Sequence, residues 1–265
     1  MELSLAPAPS DLRAEPSTGA CGRLRGIADD LNRRAETMGG AEAFRFFPDA
    51  ALREDGATGL VWTWADLRTR ATGVAADLVA AGIGCGDRVL LVWPTGLDFI
   101  AALMGCFWIG AVPVPVSPPR PREKFSRLAH ITADAGVSAI LCAPAFRDIF
   151  AGQGLPVVTP DAADPARDCA AQRVPPARPD PDDLAFLQYT SGSTSAPKGV
   201  MVTHGMLAAN LDQIRLAFDF RASDRIAGWL PHYHDMGLIG GILTPVHLGV
   251  PNAMMTPAAF LRDPV

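Results

Sequence analysis

Residues 86–116 read GDRVLLVWPTGLDFIAALMGCFWIGAVPVPV, and this stretch decides the fold class. The run VLLVW at residues 89–93 is apolar throughout, which is typical of a strand buried on both faces of a sheet. The uncharged segment that follows is long enough to suggest a transmembrane helix, but Gly110, Pro113 and Pro115 argue against one. A buried helix that ends at Gly110 and an extended VPVPV segment explain the same residues. The stretch therefore predicts a strand-helix-strand unit and no membrane span.

Helical and extended patterns alternate on both sides of this unit. Upstream, apolar residues fall at helical spacing and stop at Gly39. Thr63 offers an N-cap, with Asp66 three residues later, to the next amphipathic helix. Downstream, short apolar runs that begin at Ser138 and Pro156 are typical of strands. Alternation of this kind predicts an α/β fold with mostly parallel sheets flanked by helices.

Four segments are predicted along the chain. Residues 1–23 contain no basic segment followed by an apolar run, so we expect a loose lead-in and no secretory signal. Residues 24–170 are expected to form a first α/β subdomain. Residues 171–183, AQRVPPARPDPDD, are rich in proline and charge and predict an exposed connector. Residues 184–265 then begin a second α/β subdomain.

The composition narrows the class of protein. With 49% hydrophobic and 19% charged residues, a chain of 265 residues can bury a sizeable core. The net charge is -5, and no long basic stripe supplies the phosphate-neutralising surface of a nucleic-acid-binding protein. We therefore expect no nucleic-acid partner. Five cysteines without a C-x-x-C pair favour a reduced, cytoplasmic protein over a disulfide framework or a zinc site.

The strongest chemical signal is YTSGSTSAPKGVMVTH at residues 189–204, where an apolar strand runs into a loop of small and hydroxylated residues. Small residues let backbone N–H groups approach phosphate oxygens, hydroxyls add donors, and Lys198 supplies a positive charge. A P-loop NTPase needs glycine where Pro197 stands, so that motif is excluded. An ordinary polar turn is the alternative. Of the 23 basic residues only Lys124 and Lys198 are lysines, which favours a lysine selected for phosphate chemistry.

A second polar motif is GWLPHYHDMGLIGGIL at residues 228–243. His232, His234 and Asp235 suggest a metal site, but the pattern H-x-H-x-D-H is not met and no cysteine lies close by. A strand-to-helix turn in which Asp235 caps the next helix is the structural alternative. We therefore expect no metal ion bound by these three side chains.

The first motif resembles the phosphate-binding signature of the adenylate-forming superfamily, which includes acyl-CoA synthetases, peptide-synthetase adenylation domains and fatty acyl-AMP ligases. Ser195 stands where many members carry glycine, and serine still allows a tight turn. The resemblance implies that the chain is the N-terminal portion of the large adenylate-forming domain, that it binds ATP with Mg²⁺ near Thr194, and that Lys198 is catalytic. The implied phosphate-binding residues are Thr190, Ser191, Gly192, Ser193, Thr194, Lys198 and Gly199.

The second motif, with residues 86–123, is similar to the fatty acyl-AMP ligase branch in particular. In that branch the segment lies between the nucleotide and the acyl channel. The resemblance implies that His234 is catalytic and lies beside the reacting carboxylate, and that glycines keep the helix wall thin where an acyl chain passes. The implied substrate residues are His234, Asp235, Met236, Gly237, Gly240 and Gly241.

The resemblance covers residues 24–265 and implies a two-step reaction. A fatty-acid carboxylate attacks the α-phosphate of ATP, which gives acyl-AMP and pyrophosphate, and the acyl group then passes to the phosphopantetheine thiol of a carrier protein. The family is longer than this chain, so the resemblance implies a C-terminal remainder and an inactive isolated chain. Two alternatives stay open. One is an acyl-CoA synthetase, with coenzyme A as acceptor, and the other is a non-catalytic, truncated nucleotide-binding fragment.

Overall fold

A computed structural model describes residues 26–48, 59–119, 126–160, 175–190 and 197–262. Within these ranges the strands are β1 (Glu42–Phe47), β2 (Leu60–Thr63), β3 (Arg88–Val92), β4 (Val112–Val116), β5 (Ala139–Cys142), β6 (Val157–Val158), β7 (Leu184–Thr190), β8 (Lys198–Thr203), β9 (Ile226–Gly228) and β10 (Asn252–Met255). The α-helices are α1 (Ile27–Met38), α2 (Trp64–Ala80), α3 (Leu97–Trp108), α4 (Ser126–Asp134), α5 (Arg147–Phe150), α6 (His204–Ala217), α7 (Thr244–Leu248) and α8 (Pro257–Arg262). A 3₁₀ turn spans Pro144–Phe146, and a π-helix spans Met236–Leu243 and runs directly into α7.

One sheet is wholly parallel, with the strand order β4-β3-β5-β6. Leu90 on β3 lies between Val114 on β4 and Ile140 on β5, and all three are completely buried. The helix after β3 is buried along almost its whole length and is followed by Gly110, which has a left-handed φ of 72°. The strand-helix-strand unit predicted from residues 86–116 is therefore confirmed. Within the described ranges, every helix is too short or too polar to cross a bilayer.

A second sheet has the strand order β2-β1-β10-β9 and is parallel except for the β1-β2 pair. Phe46 on β1 is paired with Met254 on β10. This sheet therefore takes strands from both sides of residues 171–183, the connector predicted between two subdomains. The described part of that connector, residues 175–183, is exposed or half-buried. The division of the chain into subdomains stays a prediction.

The predicted N-cap of α2 is confirmed. Thr63 Oγ1 accepts a hydrogen bond of 3.2 Å from the Asp66 N–H, and Asp66 Oδ2 accepts one of 2.9 Å from the Thr63 N–H. Helix α2 packs against α3 at Gly105, where an added Cβ would lie only 2.7 Å from Val74. Helix α2 contacts β1 and β2, and α3 contacts β3 and β4. The loop between β3 and α3 follows β3 directly and therefore lies at the carboxyl end of the parallel strands.

Candidate functional site

Strands β7 and β8 form an antiparallel hairpin, and the first motif includes the residues that connect the two strands. Thr190 is paired with Lys198, and Tyr189 with Gly199, in the last two steps of the ladder. The loop therefore joins two strands, whereas a P-loop joins a strand to a helix. Four of the predicted phosphate-binding residues lie outside the described residues, namely Ser191, Gly192, Ser193 and Thr194.

Gly199 lets β8 approach the side chain of Tyr189. An added Cβ at position 199 would lie 2.9 Å from Tyr189 Cζ and 3.1 Å from its hydroxyl oxygen, which is closer than such atoms pack. Tyr189 itself is buried, at 6% exposure. The glycine next to Lys198 therefore has a packing role in addition to any contact with a ligand.

Lys198 is exposed at the loop end of the hairpin, where β8 begins. Among the described residues no carboxylate lies within 4 Å of its ammonium group. An exposed ammonium group beside the hydroxyl of Thr190 is suited to bind an anion such as phosphate.

The second motif forms a tight turn between β9 and the π-helix. The His234 N–H donates a hydrogen bond of 3.1 Å to the Pro231 carbonyl, and the His234 carbonyl accepts one of 2.8 Å from the Leu238 N–H. The imidazole of His234 and the carboxylate of Asp235 are both exposed. Asp235 Oδ1 accepts a hydrogen bond of 2.8 Å from the Met236 N–H, so Asp235 caps the following helix. The turn therefore presents His234 to the surface from a hydrogen-bonded backbone.

His232 points the opposite way, into the core, and is 1% exposed. Its Nδ1 and Thr95 Oγ1 are hydrogen-bonded at 3.1 Å, and its ring lies 4.0 Å from the ring of Phe99. Burial lowers the pKa of His232 to about 4, although a backbone hydrogen bond to Trp93 partly opposes this shift. The described residues hold no group of three potential metal ligands.

The glycines of the second motif occupy different surroundings. An added Cβ at Gly237 would lie 2.1 Å from the Pro231 carbonyl oxygen, so Gly237 packs directly on the turn. An added Cβ at Gly240 or Gly241 would meet nothing within 4 Å. Open space beside the helix is thus found at Gly240 and Gly241, whereas Gly237 has a steric role. Acyl binding at all three glycines stays a prediction.

The helix over these glycines is π-helical rather than α-helical. The Thr244 N–H donates to the Ile239 carbonyl, five residues back. The Gly241 carbonyl accepts a hydrogen bond from the side-chain amide of Asn252, which is 1% exposed at the start of β10. Wide turns of this kind free carbonyl groups and are frequent at functional sites.

Gln188 connects the two motifs. Its side chain on β7 is buried at 9% exposure, and Nε2 donates a hydrogen bond of 3.4 Å to the Tyr233 carbonyl. The hairpin that ends at Thr190 and Lys198 therefore lies against the turn that presents His234. Sequence reasoning missed Gln188 and Thr95, although a single amide inside the apolar strand LAFLQY was a visible signal.

Comparison with known proteins decides the family. The model of the AMP-binding enzyme family matches residues 31–265. The chain belongs to this family. The chain is 36% identical over 246 residues to the long-chain-fatty-acid–AMP ligase FadD32 of Mycolicibacterium smegmatis, an alignment that covers 90% of this chain and 38% of that protein. It is 32% identical over 253 residues to the medium-chain-fatty-acid–(acyl-carrier-protein) ligase JamA of Moorena producens, which covers 90% of this chain and 41% of JamA.

The fold agrees with this assignment. A solved fatty acyl-adenylate ligase of L. pneumophila, in complex with acyl adenylate and pyrophosphate, superposes with a TM-score of 0.80 at 33% sequence identity. The superposition covers 90% of this chain and 41% of that structure. The predicted α/β class and the predicted resemblance are both confirmed. The chain spans about two fifths of the length of FadD32 and of JamA.

Proposed function

We propose that this chain is the N-terminal part of an ATP-dependent ligase that joins a fatty acid to AMP. One contact between the two motifs carries the proposal. The hairpin with Lys198 at its loop end lies against the turn with His234, because Gln188 on the hairpin donates a hydrogen bond to the Tyr233 carbonyl in that turn. A hairpin with an exposed ammonium group, hydrogen-bonded to a turn with an exposed imidazole, suits a reaction between a polyphosphate and a carboxylate. Similarity to ligases named for fatty acids and AMP supports the same reaction.

In the proposed reaction a carboxylate oxygen of the fatty acid attacks the α-phosphorus of ATP, and the bond to pyrophosphate breaks. Lys198 offsets the negative charge of the phosphates, and the hydroxyl of Thr190 donates a hydrogen bond beside it. Bound Mg²⁺ would offset further phosphate charge. Its proposed ligand, Thr194, lies outside the described residues, as do the other proposed phosphate contacts Ser191, Gly192 and Ser193.

The fatty acid is proposed to lie along the second motif. His234 is proposed to hold the carboxylate, and its exposed ring on a turn with backbone hydrogen bonds supports this role. Asp235 and Met236 follow at the start of the helix and are also exposed. The acyl chain would then pass Gly240 and Gly241, where the space beside the backbone is open.

A carrier-protein thiol is the proposed acceptor of the acyl group. JamA, which is named for transfer to an acyl carrier protein, aligns with 90% of this chain, and this supports the proposal. Coenzyme A is the competing acceptor, because a relative of Mycobacterium tuberculosis that is 35% identical over 219 residues is named a putative fatty-acid–CoA ligase. Incubation of the acyl-AMP product with each thiol, followed by mass spectrometry, distinguishes the two.

The proposed reaction is tested by ATP-pyrophosphate exchange in the enzyme that contains this chain. We expect Lys198→Met to reduce fatty-acid-dependent exchange by about 100-fold, since one charged contact to the reacting phosphates is lost. Arg221→Met is the matched control, because Arg221 is 73% exposed and pairs with Asp219 on the surface. Unchanged exchange in Lys198→Met would refute the assignment. A wild-type enzyme that binds ATP without any exchange would support the non-catalytic alternative.

A further inference from the structure

His232 is a buried polar side chain whose role the proposed reaction does not explain. Its ring is 1% exposed and lies 4.0 Å from the ring of Phe99. Its Nε2 has no hydrogen-bond partner among the described residues. A phenylalanine would fill the same space without leaving a buried nitrogen unsatisfied, so packing alone does not account for a histidine here.

His232 connects two elements that are distant in sequence, through its hydrogen bond to Thr95 and a backbone hydrogen bond to Trp93. Its partner, Thr95, lies in the loop between β3 and α3, at the carboxyl end of the parallel sheet. Sites in α/β proteins form at this edge, because the strand ends and their loops converge there. Burial lowers the pKa of His232 to about 4, so the imidazole is neutral near pH 7 and acts as a hydrogen-bonding group rather than as a charge.

The position of His234 follows from that of His232. The two residues share a turn in which the His234 N–H is bonded to the Pro231 carbonyl and the His234 carbonyl to the Leu238 N–H. Gly237 packs on the same turn so closely that an added Cβ would lie 2.1 Å from the Pro231 carbonyl oxygen. The bond between His232 and Thr95, together with the backbone bonds of the turn, therefore connects the backbone of His234 to the loop after β3.

We propose that His232 is a positioning residue, which through Thr95 fixes the turn that presents His234 to the substrate carboxylate. This inference rests on the proposed function. It assigns separate tasks to the two histidines of one motif: His234 contacts the substrate, and His232 anchors the turn to the sheet edge.

The test is a double-mutant cycle in the enzyme that contains this chain. We expect His232→Phe and Thr95→Val each to lower kcat for acyl-AMP formation about tenfold, and the double variant to lose no more than the worse single variant. KM for ATP should stay within about twofold, because among the described residues no hydrogen bond joins Thr95 or His232 to the hairpin that carries Lys198. Thr95→Ser, which restores the hydroxyl, should recover most of the rate lost in Thr95→Val.

Other results would overturn the inference. Rates unchanged in Thr95→Val, or losses in the two single variants that multiply in the double variant, would show that the bond does not position the turn. A loss in Thr95→Val that Thr95→Ser does not recover would do the same. Thr95→Val keeps the shape of the side chain, so it tests the inference even where His232→Phe fails to fold. If Lys198→Met reduces ATP-pyrophosphate exchange as expected but Thr95→Val leaves kcat unchanged, only the positioning role is refuted. The proposed function then stands.

Discussion

Tyr189 donates a hydrogen bond of 2.5 Å to Asp134 Oδ2, which connects the hairpin of β7 and β8 to the end of α4. Burial raises the pKa of Tyr189, and the hydrogen bond to Asp134 raises it further, so the phenol keeps its proton and remains a donor. The same ring supports Gly199, the cross-strand partner of Tyr189. The strand that presents Lys198 is therefore held in place by the side chain of Tyr189, whose cross-strand pair with Gly199 is next to the pair of Thr190 and Lys198.

Tyr189→Phe should weaken ATP binding while the hairpin stays folded. The ring still packs on Gly199, but the bond to Asp134 is lost, which costs about 1 to 2 kcal/mol of unfolding free energy. We expect KM for ATP to rise several-fold and KM for the fatty acid to change little. Steady-state kinetics and urea unfolding measure the two effects. Asp134→Ala should match Tyr189→Phe, and a normal KM for ATP in both variants would contradict the prediction.

Gly237 and Gly240 should respond very differently to alanine. At Gly237 the new methyl group would meet the Pro231 carbonyl oxygen at 2.1 Å, so the turn must shift, and we expect a loss of about 2 kcal/mol or more. At Gly240 nothing lies within 4 Å, and alanine also favours the helix, so stability should be equal or slightly higher. Urea unfolding of the two variants side by side measures the contrast. Equal stability of both variants would mean that the turn does not pack on Gly237.

Features fixed by neighbouring residues could be predicted from the sequence. The capping pair Thr63 and Asp66, the buried strand β3 and the helix stop at Gly110 each have a signal within a few positions. The lysine in the small-residue loop was equally visible, because the chain uses arginine almost everywhere else. These signals were sufficient for the α/β class and for the family, whereas phosphate binding by the loop stays a prediction.

Long-range features could not be predicted in this way. The pairing of Phe46 with Met254 joins strands from opposite ends of the chain, and neither strand carries a signal that selects the other. The π-helix was also missed, since apolar periodicity does not distinguish five-residue from four-residue hydrogen bonding. His232 appeared only as a possible metal ligand or polar turn residue, because its contact with Thr95 depends on how the chain folds back.

Bulky residues at Gly240 or Gly241 should shorten the accepted acyl chain. Both positions face open space, so Gly240→Leu is expected to fill the proposed channel without disturbing the backbone. Activity with palmitate should fall at least about tenfold more than activity with octanoate, as a filled pocket rejects the longer chain. The kcat/KM values for a series of fatty acids measure this. An equal loss at every chain length would indicate damage to the helix instead.

Two buried histidines should make the stability of the fold depend on pH. Burial lowers the pKa of both His204 and His232 from 6.5 to about 4, although Asp183 partly opposes the shift at His204. Between about pH 4 and pH 6.5 the unfolded chain therefore binds more protons at these two histidines than the folded chain does. By linkage, the contribution of the two neutral histidines is fully present above about pH 6.5 and is lost as the pH falls towards 4.

Urea unfolding at pH 7.5 and at several values down to about 4.5 should show this loss, which amounts to as much as about 3 kcal/mol for His232. Carboxylates titrate over part of the same range, so the decisive quantity is the difference between wild type and variant. His232→Phe and His204→Phe each remove one titrating imidazole and should each flatten the curve, since phenylalanine has no proton to bind. Curves for wild type and both variants that run parallel from pH 7.5 to 4.5 would mean that neither imidazole is kept neutral by the fold. Flattening in His232→Phe alone would locate the effect at the buried imidazole of His232, which lies against Phe99, and not at His204, which packs against Phe107.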